Sequence, residues 1–168
     1  MTYAEKAASL DTSNPAIERL GVAAMLGGEC THGVACGCGA TVNGNTGCPT
    51  SFPSGPGLGA SFDTELWTQG GRAIGVEARA LNNQAIPNAL GGVPGLPPHG
   101  VSGLYFLDPN INLMRDPRWG RAQEVPGEDP LLTSEFAAHL ITAAQRGNGS
   151  ESDGRYDVAA VRCCCSCC

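Results

Sequence analysis

The chain has 168 residues, 42% of them hydrophobic, and a formal net charge of -6. This length is enough for one globular domain with its own core, and no apolar run approaches the ~18 residues of a membrane helix. An acidic chain is a poor match for nucleic acid, because phosphate recognition needs a basic face. We therefore expect no nucleic acid and no membrane partner, and a neutral or cationic small ligand instead.

The N-terminal residues predict a short helix followed by a buried strand. Thr2 and Glu5 have the spacing of a capping box, and the alanines after them continue the helix to Leu10. The apolar run Leu20–Val22 then predicts the first buried strand. Glycines and Glu29 follow this run, so Glu29 is predicted to lie at the end of the strand.

Residues 35–60 are dominated by small and polar residues and predict a long loop, with one short strand near Thr50–Phe52. Four of the nine cysteines lie in or just before this loop: Cys30, Cys36, Cys38 and Cys48. Their spacing matches no standard zinc site, so we predict free or locally paired thiols and no metal.

The longest predicted helix begins after Ser61 or Asp63 as its cap and closes at Asn82-Asn83, because its apolar residues follow a helical period. A second loop is predicted over 84–103. Residues 104–107 form the next buried-strand candidate, which continues through Asn112.

Three arginines, four acids and a tryptophan lie within residues 115–129, here called the arginine loop. Its prolines and glycines exclude regular structure and predict an ordered loop after a strand. Asp129 and Pro130 then cap a helix that ends near Gly147. A polar linker over 147–154 and a buried strand over 158–161 follow.

Strands that alternate with helices predict an α/β domain with parallel strands, whose binding loops gather at the carboxyl ends of the strands. Glu29 and Arg115 both fall at such ends. A doubly wound sheet is the alternative architecture, although no glycine-rich phosphate fingerprint follows a strand.

The segment Arg115-Asp-Pro-Arg-Trp-Gly-Arg121, with Gln123-Glu124-Val-Pro-Gly-Glu-Asp-Pro130 after it, closely resembles the N-terminal domain of glycoside hydrolase family 3, in its β-xylosidase-like branch. Further matching segments occur in the family's order from residue 1 to about 161, among them Glu29-Cys-Thr-His-Gly-Val34 and Pro109-Asn-Ile-Asn112. The long arginine segment is the most specific of them.

The resemblance implies the N-terminal part of an incomplete (β/α)8 TIM-type barrel over residues 1–161. It also implies removal of terminal β-D-xylosyl or glucosyl residues from β-linked oligosaccharides or aryl glycosides, with retention of configuration and without a metal or organic cofactor. Retention uses a carboxylate nucleophile and a second carboxyl as acid/base. In the family both come from later regions, so we expect the catalytic groups beyond the chain end and an inactive isolated chain.

By resemblance, Glu29 accepts hydrogen bonds from the hydroxyls of the bound sugar and Arg115 donates to them. A carboxylate acceptor and a fork-shaped donor suit a polyol. The alternative is structural: Glu29 would cap a helix and Arg115 would hold the loop through an ion pair. We expect Trp119 to be a buried anchor of the loop in preference to a sugar-stacking face. The other charges of the arginine loop are expected to hold it through mutual pairs and backbone bonds: Asp116, Arg118, Arg121, Glu124, Glu128 and Asp129.

Other polar residues have structural explanations. We expect His32 to hold the loop by hydrogen bonds, Asp63 to cap its helix, and Glu77 to occupy a solvated or ion-paired helix position.

The family pattern breaks after Val161. Members of the family continue this strand into a Lys-His pair that contacts the sugar, where this chain has Cys163 and Cys164. We expect residues 162–168 to be a low-complexity tail outside the fold, produced by a truncated or mispredicted gene product.

Two other functions stay open: a noncatalytic carbohydrate-binding remnant, and a thiol or metal-binding protein that uses the tail. The family suggests secretion, although no signal peptide begins the chain. The sequence leaves the oligomeric state open.

Overall fold

The computed structural model describes residues 1–10, 13–22, 25–26, 28–34, 40–42, 45–89, 104–147 and 160–161. In chain order the elements are α1 (Tyr3–Ala8), β1 (Ser13–Asn14), β2 (Met25–Leu26), β3 (Ala40–Val42), β4 (Asn45–Gly47), α2 (Gly55–Gly59), α3 (Thr64–Ala89), β5 (Tyr105–Phe106), α4 (Pro130–Arg146) and β6 (Ala160–Val161). The predicted linker after Gly147, the cysteine tail, Cys36 and Cys38 lie outside the described residues.

Three parallel segments organise the domain around β5. On one edge, β5 pairs with β6, so that Tyr105 lies opposite Ala160 and Phe106 opposite Val161. On the other edge Gly28 forms a parallel bridge to Phe106. The Gly28 amide donates to the Tyr105 carbonyl at 2.9 Å, and the Leu107 amide donates to the Gly28 carbonyl at 3.0 Å.

These parallel pairings confirm the predicted α/β class. The described strands otherwise form two short antiparallel pairs, β1 with β2 and β3 with β4. No closed barrel is formed by the described residues, because too few strands are present to complete a ring. The eightfold barrel therefore stays a prediction.

Helices α3 and α4 run side by side and make closest contact at glycines. A Cβ atom built on Gly71 would lie 2.2 Å from the Leu140 carbonyl oxygen, and one built on Gly75 would lie 2.1 Å from that of Ala144. Only a residue without a side chain lets the two backbones approach so closely. The contact moves four residues forward on both helices, from Gly71 and Leu140 to Gly75 and Ala144, so the two helices run parallel. This is expected for helices that follow successive parallel strands.

The helix starts are built as the sequence predicts. The Thr2 side chain accepts from the Glu5 amide, and the Glu5 carboxylate accepts from the Thr2 amide, which completes the capping box of α1. Asp63 Oδ1 accepts from the Glu65 and Leu66 amides at 3.0 Å each. Asp129 accepts from the Leu132 amide at 2.6 Å, with Pro130 in the first helical turn.

The core has two adjoining clusters, and Phe52 packs against both. The first lies under the strands and contains Cys30, Val34, Ile74, Ala78, Leu81 and Phe106. The second joins α2, α3 and α4 and contains Leu58, Trp67, Phe136 and Leu140. The Trp67 and Phe136 rings meet edge to face, with centroids 5.5 Å apart. The Trp67 indole N–H donates to the Leu58 carbonyl at 2.8 Å, so its polar end is satisfied inside the core.

Three predicted elements are wrong. Residues 20–22 are not a buried strand: Glu18–Leu20 is a 3-10 turn that ends at Gly21 in the left-handed conformation, and Leu20 and Val22 are each 44% exposed. No strand forms at Thr50–Phe52, where the Phe52 amide makes a single backbone bond to the His32 carbonyl at 2.7 Å; the nearby described strands pair as β3–β4. The predicted loop over 84–103 begins too early, since α3 continues to Ala89. Residues 90–103 lie outside the described residues.

Candidate functional site

Glu29 lies at the carboxyl end of the outer parallel segment. The residues before and after it in the chain are both fixed. Gly28 is hydrogen-bonded to β5, and Cys30 lies in the core with only 2% of its surface exposed. Glu29 itself is exposed, and its carboxylate has no hydrogen-bond partner among the described residues. The predicted alternative, a carboxylate that caps a helix, is therefore not what the structure shows. Glu29 is an acceptor held on a fixed backbone and open to solvent.

Arg115 follows β5, the neighbouring parallel strand, and is also exposed. Its Nη1 donates to Asn112 Oδ1 at 2.7 Å, with the Leu113 carbonyl oxygen at 3.4 Å. Within the described part of the chain, no acceptor engages its Nε or Nη2, and no ion pair includes it. The predicted alternative of a loop-holding ion pair therefore does not apply. One side of the guanidinium is positioned and the other is available to a ligand.

The arginine loop is closed at its base and braced by short-range pairs. The Met114 amide donates to the Gly127 carbonyl at 3.0 Å, next to Arg115. Arg118 binds both oxygens of Asp116, at 2.9 and 2.6 Å. The Arg121 Nε lies 2.9 and 2.8 Å from the two oxygens of Glu124. The predicted pairing is confirmed for Asp116 and Glu124, and Asp129 makes a backbone bond; Glu128 has no pair among the described residues.

The ion pairs shift the acid pKa values in the expected direction. Hydrogen bonds from the Arg118 side chain and backbone hold the pKa of Asp116 below its usual value. The Arg121 guanidinium lowers the pKa of Glu124 against an opposing effect of burial, and the Asn110 amide adds to the lowering. Both acids therefore stay ionised at neutral pH and are occupied by the arginines of the loop.

Helix α2 packs against the backbone of the arginine loop. A Cβ atom on Gly55 would lie 2.7 Å from the Glu124 carbonyl oxygen, and one on Gly59 would lie 2.3 Å from that of Pro126. Trp119 is only half-buried, and its amide donates to the Asp116 carbonyl at 3.0 Å. The full burial expected of a loop-packing tryptophan is not observed, so part of its ring surface faces solvent.

Sequence reasoning missed Asp108. This residue lies just after β5 and is only 5% exposed. Its Oδ2 accepts from the Cys30 amide at 2.8 Å and its Oδ1 from the Thr31 hydroxyl at 2.9 Å. Burial, and to a lesser extent the Asp108 charge, raises the pKa of the Cys30 thiol far above its usual value. A lone acid before a proline reads as a turn residue in sequence, and only the pairing of the strands brings it to the Glu29 segment.

Glu77 and His32 both have polar contacts with residues 50–52. Glu77 is partly exposed and has no ion pair among the described residues: its carboxylate accepts from the Thr50 amide at 2.9 Å and from the Thr50 hydroxyl, which ties the preceding loop to α3. His32 has the expected structural contacts, since Nδ1 lies 3.4 Å from the Ser51 hydroxyl and its carbonyl accepts from Phe52.

Two of these cysteines have described surroundings, and both agree with the predicted free or paired thiols. Cys30 is a free, buried thiol, and Cys48 is disulfide-bonded. No cluster of three or more potential metal ligands occurs in the described ranges. Among the helices described, none is both long and apolar enough to cross a bilayer.

The chain is similar in sequence to fungal and plant xylosidases. It is 42% identical over 154 residues to the probable exo-1,4-β-xylosidase bxlB of Aspergillus terreus, across 90% of this chain and 18% of that protein. It is 37% identical over 166 residues to β-D-xylosidase 1 of Arabidopsis thaliana, across 98% of this chain and 19% of that protein. The chain thus spans less than a fifth of the length of these curated relatives. No family model matches it.

Solved structures agree with the sequence matches. An exo-β-xylosidase of glycoside hydrolase family 3, in complex with a xylobiose aziridine probe, superposes with a TM-score of 0.68 at 32% identity, over 94% of this chain and 18% of that one. The β-glucosidase 3B of Thermotoga neapolitana, in complex with glycerol, gives a TM-score of 0.58 at 25% identity, over 80% of this chain and 16% of that one.

An α/β unit with polar groups at the ends of its parallel strands, matched to these enzymes, places the chain among the glycoside hydrolases. It belongs to glycoside hydrolase family 3 and corresponds to part of the N-terminal domain.

Proposed function

We propose that this chain forms one wall of the sugar pocket of a retaining exo-β-glycosidase that removes terminal β-D-xylosyl residues, with β-D-glucosyl residues as the alternative substrate. Glu29 accepts hydrogen bonds from the sugar hydroxyls and Arg115 donates to them. One observation carries the proposal: both groups are exposed and have free hydrogen-bonding capacity after neighbouring parallel strands.

The xylosyl preference is supported by relatives that are named xylosidases. The polyol partner is supported by the chemistry of the pair, because a carboxylate and a guanidinium together offer acceptors and a rigid donor fork to adjacent hydroxyls. Trp119, partly exposed in the same loop as Arg115, offers an apolar face.

The nucleophile and the acid/base of this proposal are carboxyls outside the 168 residues. Several acids near the strand ends are already engaged: Asp108 by the Glu29 segment, Asp116 and Glu124 by arginines, and Asp129 by the start of α4. A retaining pair needs two carboxyls about 5 Å apart that can reach the scissile bond. We accordingly propose that the chain alone binds sugar without hydrolysing it.

The binding site is tested with the purified 168-residue chain titrated with xylose and, separately, with glucose, followed by NMR shifts and by tryptophan fluorescence. Glu29→Gln and Arg115→Ala are each expected to weaken binding about tenfold, the loss of one charge-assisted hydrogen bond. Glu128→Gln and Arg118→Ala are matched controls in the arginine loop and should bind as the wild type does. Equal affinity in all five proteins would contradict the assignment.

Hydrolysis is tested with aryl β-xyloside and aryl β-glucoside. We expect release of the aryl alcohol at the buffer rate. Turnover well above that rate, abolished by a substitution within the chain, would place the catalytic carboxyls inside these residues and overturn that part of the proposal.

A further inference from the structure

Asp108 continues the pairing of two parallel segments beyond the point where their backbone ladder stops. The last ladder bonds join Gly28 to Tyr105 and Leu107. The next amide on that side, of Cys30, donates to the carboxylate of Asp108 at 2.8 Å. A side chain thus takes the place of a backbone acceptor.

The same carboxylate makes a second contact with this segment. The Thr31 hydroxyl donates to its other oxygen at 2.9 Å, and the Cys30 thiol lies 3.7 Å from the Asp108 carbonyl oxygen. Residues 29–31, here called the Glu29 segment, are therefore held by both oxygens of one acid. Glu29 lies between the last ladder contact at Gly28 and the first carboxylate contact at Cys30.

Holding a backbone segment with a buried carboxylate has a free-energy cost. A carboxylate that is 5% exposed loses most of its hydration, and only hydrogen bonds to the charged form offset that cost. No salt bridge involves Asp108 within the described ranges, so N–H and O–H donors alone compensate it. The compensation depends on the Glu29 segment staying in one geometry, because movement of the segment would leave the buried charge without donors.

We propose that Asp108 is a positioning residue for the sugar site: it holds the Glu29 segment against β5 and thereby sets where the Glu29 carboxylate meets the sugar. This inference rests on the proposed function. It adds a residue that does not touch the sugar and acts through Glu29, in line with the general need for binding groups to be held by a second layer of hydrogen bonds.

Three variants separate the effect of the hydrogen bonds to the Glu29 segment from the effect of the negative charge of Asp108. Asp108→Ala removes both contacts. Asp108→Asn keeps the shape, with its oxygen free to accept from the Cys30 amide and its NH2 able to donate to the Thr31 hydroxyl. Thr31→Val removes one contact and leaves the acid. Leu140→Ala is the matched control, since it lowers global stability from the second core cluster, away from the Glu29 segment.

Two readouts are taken on the isotope-labelled 168-residue chain: hydrogen exchange of the Cys30 amide and the affinity for xylose. For Asp108→Ala we expect exchange at least about tenfold faster and affinity about tenfold weaker, the size of one lost hydrogen bond to a charged group. Thr31→Val should fall between the wild type and Asp108→Ala. Asp108→Asn should restore both readouts most of the way, and Leu140→Ala should leave the affinity unchanged.

The outcomes distinguish this inference from the sugar site itself. Faster Cys30 exchange with unchanged affinity in Asp108→Ala would overturn the positioning role alone, as would affinity lost equally in Asp108→Asn and Asp108→Ala. Unchanged Cys30 exchange in Asp108→Ala would show that the carboxylate does not hold the segment. A wild-type chain that binds no xylose or glucose would overturn the sugar site and the positioning role together.

Discussion

The paired helices α3 and α4 and the arginine loop differ in how their side chains are held. The helices meet through buried rings and through glycines that bring backbone against backbone. The loop is held by ion pairs whose side chains are largely exposed, such as Arg118 with Asp116, where the exposed fractions are 88% and 43%. Truncating a buried apolar side chain costs about 2 to 5 kcal/mol, whereas exposed ion pairs are screened by water and contribute little.

The difference explains where a ligand site is placed. In the helix pair the buried side chains are closely packed, so a change in their volume is felt by their neighbours. The charged side chains of the loop are held by partly exposed ion pairs while its backbone at Glu124 and Pro126 packs against α2, so Arg115 can face solvent without weakening the core. Substitutions in the helix pair should therefore change the free energy of unfolding, and matched substitutions in the loop should change it little.

The largest loss of stability is expected for Phe136→Ala. Phe136 is 2% exposed and meets Trp67 edge to face, so its removal leaves a cavity between α3 and α4. We expect a loss of about 4 kcal/mol in the free energy of unfolding, measured by urea denaturation. Leu131→Ala, on the same helix but 69% exposed, is the control and should change it little. A loss below about 1 kcal/mol for Phe136→Ala would mean that the two helices are not packed as described.

The next largest loss of stability is expected for Gly71→Ala. The adjacent Gly70→Ala is the control and should raise stability. The added methyl of Gly71→Ala would meet the Leu140 carbonyl at 2.2 Å and force α3 and α4 apart, at a cost of about 2 kcal/mol or more. For Gly70→Ala the nearest atom is Phe52 Cδ1 at 3.9 Å, an ordinary contact, so helix propensity should stabilise the chain by about 1 kcal/mol. Thermal denaturation of both variants checks the pair, and two changes of the same sign would refute the close approach.

A smaller effect is expected where the two regions join, at Asp129. Its side chain accepts from the Leu132 amide and caps α4 at the end of the arginine loop. Asp129→Ala should lower the free energy of unfolding by about 1 kcal/mol, and Asp129→Asn by less, since asparagine also caps helices. The neighbouring Glu128→Ala is the control. Urea denaturation in which Asp129→Ala and Glu128→Ala behave alike would argue against the cap.

The smallest effect, and the only one that depends on pH, is expected for Glu124→Gln. Arg121 lowers the pKa of Glu124, so the stabilisation by this pair is complete above the ordinary glutamate pKa of 4.5 and is lost as the pH falls through the lower folded-state value. At about pH 7 we expect a loss below about 1 kcal/mol, because the pair is partly exposed. The difference from wild type should vanish in acid. A difference that grows as the pH falls would reverse the sign and exclude the proposed cause.

Local signals in the sequence predicted the parts of the fold that depend on local chemistry. The capping box at Thr2, the cap at Asp63 and the Asp129-Pro130 start of α4 each occur as predicted. Each is a bond between residues two or three positions apart, so the pattern contains the partner as well as the residue. The β3–β4 hairpin was missed although Asn43-Gly44, the favoured hairpin pair, separates its strands in the sequence.

The site was predicted in part for the same reason. Glu29 and Arg115 were found because the resemblance names them and because both follow strand candidates, and the structure leaves both exposed. Their role in binding sugar stays a prediction. Asp108 and Glu77 were missed or misassigned because their partners, Cys30 and Thr50, lie 78 and 27 residues away along the chain.

By itself, the sequence determined the α/β class, the starts of the main helices, the pairing of charges inside the arginine loop and the family to which the chain belongs. All of these follow from residues that are close in the chain or from a contiguous motif. Only the tertiary structure decided that Gly71 and Gly75 bring two backbones together, that Leu20 and Val22 face solvent, and that Asp108 holds the segment of Glu29. Those facts depend on which distant residue becomes a neighbour, and that is set by the pairing of strands and helices and not by local composition.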